Sequence, residues 1–223
     1  MTILAVTGLT KEAEIVGVAD VVAVAGGGDA SLADKLKALH GDIRGVISIG
    51  LAGALSPHLK VGDVVIADQM LTGAEKWDCQ ESWRVRLLSR LTSHVSGAHQ
   101  GQIFGSDVII ENPQTKAALY NATGALAVDM ESQVAARFAY QRNLPLAGLR
   151  VISDDASHVL PPAALVAMKP DGGIAFGRVL GSLLKKPTQV PALIRTARAS
   201  NRAFAELLRC RDLLGVGLAG ADL

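Results

Sequence analysis

The stretch AVDMES at residues 127–132 sets two carboxylates, Asp129 and Glu131, directly after an apolar run and directly before a helical-looking segment. Acids in that place are poor packing material. A helix N-terminus accounts comfortably for one of them. A second invites chemistry, because a carboxylate can accept hydrogen bonds from a diol or steady a developing positive charge. Other apolar runs of the chain end in similar groups. TGLTKEAE follows the first run and carries Gly8, Lys11 and Glu12; GGGDAS follows the second and GLAGALSP the third; the last ends in SDDASH, with Ser153, Asp154 and Asp155. Gly26–Gly28 lacks the full GxGxxG of a dinucleotide site. Glycines in that position still let backbone N–H groups approach an anion at a helix start. Taken singly, each group has an ordinary reading as a cap, a turn or a crowding point. Taken together they ask for one mouth, and open α/β sheets supply it beyond the carboxyl ends of their strands.

The elements that must position these groups can be read from the hydrophobic pattern. Short β-branched runs at 2–6, 20–25, 45–50, 63–68, 125–130 and 146–153 predict largely buried strands. Helical periods at 10–18, 29–40, 81–95, 113–121 and 131–143 lie between them. This alternation predicts an α/β architecture with a mostly parallel central sheet. No low-complexity linker divides the chain, so residues 1–223 are expected to form a single domain. From about residue 160 the alternation stops, and helical segments at 173–185 and 188–210 predict a helical C-terminal extension packed on the sheet.

Composition excludes several functions. With 22 basic and 21 acidic residues among 223, and only 4% aromatics, the chain has neither the charge nor the stacking surface of a nucleic-acid binder. Cys79 and Cys210 stand far apart, and the five histidines lack metal-ligand spacing, so neither a disulfide framework nor a metal site is expected. No apolar stretch reaches the roughly 18 residues of a membrane span, and the N-terminus lacks the basic region of a signal peptide. A cytoplasmic protein is the expectation. Arg195, Arg198, Arg202 and Arg209 fall on one face of the segment 188–210, with Leu193, Ala197, Phe204, Leu207 and Leu208 opposite. That stripe fits either a solvated face of a packed helix or peripheral membrane contact. LTGAEKWDCQESW (71–83) carries both tryptophans, Trp77 and Trp83, and reads as an interface loop, a lid or a plain hairpin.

Four stretches, in this order, resemble the purine nucleoside phosphorylase and nucleosidase superfamily. GVISIGLAGALSPHLKVGDVVIAD (45–68) is similar to its glycine-rich strand and loop. FGSDVII (104–110) resembles its base-site strand, VDMES (128–132) its ribose motif, and LRVISDDA (149–156) its R-x-I-S-D motif. The resemblance covers roughly residues 2–160. It implies a three-layer αβα fold, a nucleoside substrate, no metal or other cofactor, and a homo-oligomer.

By the same resemblance, Glu131 binds the ribose hydroxyls, Met130 packs under the sugar, and Gly53 and Ile109 line the substrate site. Asp154 is implied as the acid facing N7 of the purine, while Ser153 and Arg150 hold its loop. Asp129 is then a structural acid. Glu12 matches one of two adjacent acids that nucleosidases of the family carry, and Ala13 stands at the other. Where many of its phosphorylases hold phosphate, this chain has Ser48 and Leu51; Gly8, Lys11, Gly27 and Gly28 form the alternative anion cradle. The C-terminal segment resembles the hopanoid-associated branch. The expectation is therefore cleavage of a 5′-substituted adenosine, foremost adenosylhopane, with phosphate as co-substrate. The rivals are a hydrolytic methylthioadenosine or adenosylhomocysteine nucleosidase and a non-catalytic nucleoside-binding or membrane-docking module.

Overall fold

The computed structural model describes residues 2–26, 30–95, 97–165, 173 and 175–220. The strands are β1 (Thr2–Thr7), β2 (Val21–Ala25), β3 (Ile43–Ala54), β4 (Val64–Leu71), β5 (Lys76–Asp78), β6 (Ala98–Gly105), β7 (Ala127–Asp129) and β8 (Leu146–Asp154). The helices are α1 (Thr10–Val16), α2 (Ala30–Lys37), α3 (Glu81–Leu91), α4 (Pro113–Thr123), α5 (Ser132–Gln141), α6 (Pro162–Leu165), α7 (Phe176–Lys185) and α8 (Val190–Leu214).

The strands form one mixed sheet in the order β2-β1-β3-β7-β6-β4-β5, and β8 joins β3 to β4. The pairs β1–β2, β1–β3, β3–β8, β4–β6 and β6–β7 are parallel; β3–β7, β4–β5 and β4–β8 are antiparallel. Because β8 and the β7–β6 pair both bridge β3 to β4, the middle of the sheet closes on itself. Its centre is buried on both sides, which explains why β1, β3, β4 and β8 read as continuous apolar runs.

Two apolar clusters flank the sheet. On one side Val16 of α1, Trp83, Leu87 and Leu91 of α3, and Ala203, Leu207, Cys210 and Leu214 of α8 pack on Ile3, Ile47 and Leu149. On the other, Leu32 and Leu36 of α2 and Ala135, Ala136 and Phe138 of α5 pack on Leu4, Val46 and Met70. The result is the expected three-layer αβα arrangement.

The expected C-terminal extension is part of this core. α8 supplies much of one helical layer, so its apolar stripe is already buried by its own sheet. The buried face differs from the one expected: Ala197 and Leu208 are exposed, and Ala203, Cys210 and Leu214 point inward. Arg195, Arg198, Arg202 and Arg209 do share the exposed side. Arg209 pairs with Glu206 and donates to the His94 carbonyl. Among the described residues no helix is long and apolar enough to cross a membrane.

Three local expectations are corrected. GLAG (50–53) is not a loop after the third strand but the end of a 12-residue β3, because β8 pairs with it as far as Gly53. FGSDVII is the end of β6 followed by a loop from Ser106, since the β6–β7 pairing ends at Gly105. Trp77 and Trp83 are buried, and Trp83 Nε1 donates to the Leu218 carbonyl at 2.9 Å; they belong to the core, not to an exposed interface.

Candidate active site

The ends of β1, β3, β7 and β8 bring Glu12, Glu131, Asp129 and Arg150 into one buried cluster. Glu12 lies in the first turn of α1. Its Oε2 accepts from the N–H groups of Gly8 and Leu9, both at 2.8 Å, and its Oε1 accepts from the Leu51 N–H at 2.8 Å. A side chain at Gly50 would place Cβ 2.8 Å from the Glu12 carboxyl carbon, and one at Gly8 would place it 2.8 Å from Glu131 Oε1. The two glycines let both carboxylates touch the backbone.

Burial pushes the Glu12 carboxyl above its ordinary value, against the pull of the Leu9, Leu51 and Gly8 N–H groups and Arg150. Glu131 is pushed up to about 8, by burial first and by the neighbouring charge of Asp129 second; Arg150 opposes this and Glu12 adds to it. Burial also disfavours the charged form of Arg150, but the surrounding acids Asp129, Glu131 and Glu12 more than reverse that and hold it above its usual range.

Asp129 works on the protein rather than on a ligand. Its Oδ1 accepts from the N–H groups of Glu131 (3.2 Å) and Ser132 (2.9 Å), which caps the start of α5. Its Oδ2 accepts from Ser132 Oγ at 2.5 Å and from Arg150 Nε. Arg150 is fully buried, and its Nη2 donates to Ser48 Oγ at 2.6 Å. Arg150 Nη1 is buried with no partner among the described residues. An unmatched buried donor is costly, so an oxygen ligand at this atom would be favoured.

Beside this cluster a cavity of about 90 Å³ is lined by Gly53, Ile109, Val128, Asp129, Met130 and Asp154, with Val108, Ile110 and Leu160 closing its rim. Ser153 Oγ lies 3.2 Å from the Ala52 carbonyl oxygen and 3.0 Å from Asp154 Oδ1. Asp154 Oδ2 accepts from Lys116 Nζ at 2.5 Å. The site thus offers an apolar slot lined by Asp154 and Asp129, which adjoins through Asp129 the buried cluster of Glu12, Glu131 and Arg150.

The structure therefore gathers Gly53, Ile109, Met130, Ser153 and Asp154 around the cavity, with Gly8, Glu12 and Glu131 next to it. Of the expected anion cradle, the described members Gly8 and Lys11 are engaged elsewhere. The Gly8 N–H is taken by Glu12, and the Lys11 ammonium stands 4.1 Å over the Phe204 ring instead of facing the cluster. Gly27 and Gly28 lie outside the described residues. Sequence reasoning missed Lys116, a fully buried lysine on α4. Its signal was a lone cation amid the small and apolar residues of KAALY, where a solvated helix face would carry more polar groups.

The phosphorylase superfamily model matches residues 7–183. The chain belongs to this superfamily. It is similar to a 5′-methylthioadenosine/S-adenosylhomocysteine nucleosidase from Baumannia cicadellinicola subsp. Homalodisca coagulata, 33% identical over a 132-residue alignment. That alignment covers 51% of this chain and 58% of the relative, so it spans less than two thirds of the latter's length. The fold is shared with solved structures. A Helicobacter pylori MTAN mutant with 5′-methylthioadenosine in the active site superposes with a TM-score of 0.65 at 16% identity, over 95% of this chain and 98% of that one. The Streptococcus pneumoniae 5′-methylthioadenosine/S-adenosylhomocysteine nucleosidase gives 0.63 at 21% identity, over 93% and 100%. Futalosine hydrolase of Helicobacter pylori gives 0.60 at 18%, over 93% and 97%.

Proposed function

We propose that this superfamily member hydrolyses the N-glycosidic bond of a 5′-substituted adenosine and releases adenine. The observation that supports this reading is that Asp154 and Asp129 line one cavity, and that Asp129 also belongs to the buried cluster with Glu131, Glu12 and Arg150. Breaking the bond between C1′ and N9 leaves its electron pair on the purine and a cationic sugar. Asp154 faces the space where the purine's N7 would sit, and delivering a proton there lowers the barrier. Proton transfer of this kind is worth about 10²–10⁴-fold in rate. Glu131, raised to about 8, accepts from the ribose hydroxyls and, ionised as the sugar becomes cationic, steadies it. Glu12, held by three backbone N–H groups and raised by burial, is suited to take the proton of an attacking water.

Electrostatics favour water over phosphate as nucleophile. Three carboxyl groups surround one guanidinium, so the cluster has no positive surplus for a dianion. Of the residues expected to cradle phosphate, Gly8 gives its N–H to Glu12 and Lys11 covers the Phe204 ring. The similarity to nucleosidases named for methylthioadenosine and adenosylhomocysteine supports the same choice of substrate class. A hydrocarbon 5′ group gains no such support, because Ala203, Leu207, Cys210 and Leu214 of α8 are spent on the core and the exposed side mixes arginines with the scattered apolar residues Val190, Ile194 and Leu208.

The test is adenine release from 5′-methylthioadenosine, S-adenosylhomocysteine and a 5′-alkylated adenosine, each with and without phosphate. Hydrolysis predicts equal rates in both buffers. Release that depends on phosphate restores phosphorolysis, and no release from any substrate refutes the enzymatic reading.

A further inference from the structure

Lys116 is an expensive residue to bury. Its side chain has no exposure, yet an ammonium is tolerated inside a protein only when paired and hydrogen-bonded. Both conditions are met at one spot. Nζ donates to Asp154 Oδ2 at 2.5 Å and to the Asp155 carbonyl oxygen at 2.9 Å. The helix that carries it is fixed at both ends: Asn112 Oδ1 accepts from the Thr115 N–H at 2.8 Å, and Gly124 closes α4 in a left-handed turn. The lysine is therefore held against the one acid that the proposed reaction needs as a proton donor.

This pairing creates a difficulty that it also resolves. An acid that salt-bridges a buried lysine rests as a carboxylate, and a carboxylate has no proton to give. The ammonium has one. We propose that Lys116 is a positioning residue of the reaction, which keeps Asp154 ionised in the free enzyme and recharges it with the proton that passes to N7. This rests on the hydrolytic reading above. The C1′–N9 bond breaks with its electron pair going to the purine, and the bond from water oxygen to C1′ forms. One proton passes from the Asp154–Lys116 pair to N7, leaving the lysine neutral. The proton lost by water is held by Glu12 and returns through solvent to Lys116, so adenine and the free sugar are the net products.

The other charged groups facing this pair are Asp155, whose carboxyl lies on the next residue, His158 beyond it, and Asp129 across the cavity. Asp155 is kept below its ordinary value, chiefly by the Ser157 hydroxyl, with His158 and Lys116 adding to the effect, so it stays an anion and does not compete as donor. As a class, ammonium groups hold a proton to higher pH than carboxyls do.

The experiment is the pH profile of kcat/KM for adenine release by the wild type, Lys116→Met and Lys116→Gln, each checked by thermal unfolding. Both variants leave Asp154 to act from its own carboxyl. The alkaline limb should move down by about two pH units or more, and kcat near neutrality should fall about 10²-fold with KM little changed. Lys116→Gln can keep a hydrogen bond to Asp154 and so stays informative if Lys116→Met does not fold. A lysine that only braces the loop predicts a uniform loss with the limb unmoved, especially in Lys116→Gln, and that result overturns the proposal. No adenine release by the wild type overturns the hydrolytic reading itself and this role with it.

Discussion

Glu131→Gln tests the electrostatics of the acid cluster without any substrate. Glu131 is raised from 4.5 to about 8 by burial and by Asp129. A raised acid takes up a proton on folding wherever the pH lies between its unfolded and folded values, so the unfolded state binds fewer protons and stability falls as pH rises. The penalty is absent below the unfolded value, grows through neutrality and levels off above about pH 8. At 1.36 kcal/mol per unit, the wild type should lose about 3 kcal/mol between roughly pH 5.5 and pH 8.5 from this group.

Glutamine keeps the shape, and its contact with Gly8, but cannot ionise, so it removes this slope. The variant should match the wild type near pH 5.5 and be the more stable protein near pH 8.5. At about 2–4 °C per kcal/mol for a chain of this size, the difference in Tm reaches roughly 6–12 °C. Thermal melts of both proteins across that range provide the assay. Parallel curves would refute the placement of three carboxyls around one guanidinium. A wild type that gains stability with pH relative to the variant would reverse its sign.

Asp154→Asn should lower kcat for adenine release by at least about 10²-fold, read from steady-state kinetics, and, because it leaves the buried Lys116 ammonium without its counter-charge, should also cost about 3–5 kcal/mol in urea unfolding. Glu12→Gln turns an amide NH₂ toward donors that now meet a carboxylate; it should cost about 1–3 kcal/mol in urea unfolding and lose water activation as well. Leu207→Ala should destabilise the protein by about 2–5 kcal/mol, since α8 is core and not an appendage; a loss under about 0.5 kcal/mol would detach it. Reversing Arg198 and Arg202 to Glu should change Tm little and leave binding to anionic liposomes as weak as in the wild type; a clear loss of liposome binding would revive the membrane reading.

What the sequence carried of this fold follows from how far each signal is local. Strands β1, β3, β4 and β8 are buried on both faces and announce themselves as apolar runs. β6, AHQGQIFG, is held at a half-buried position by neighbours on either side, and no pattern within it separates it from a loop. β5 exists only as the return of a hairpin against β4. The site divides in the same way. Asp154, Glu131 and Glu12 were legible because acids at the ends of apolar runs need an explanation wherever the chain goes next. The division of labour between Asp129 and Glu131 was visible only in outline, since it turns on which carboxylate Arg150 reaches from β8. Lys11 reads as an anion ligand in its own stretch, while the Phe204 ring that its ammonium covers lies 193 positions away. Lys116 shows the converse: the KAALY setting hinted that it would be buried, but the acid it is buried against lies 38 positions away. A residue's type can therefore be read as a capacity, but its use is set by the partner that the sheet brings to it.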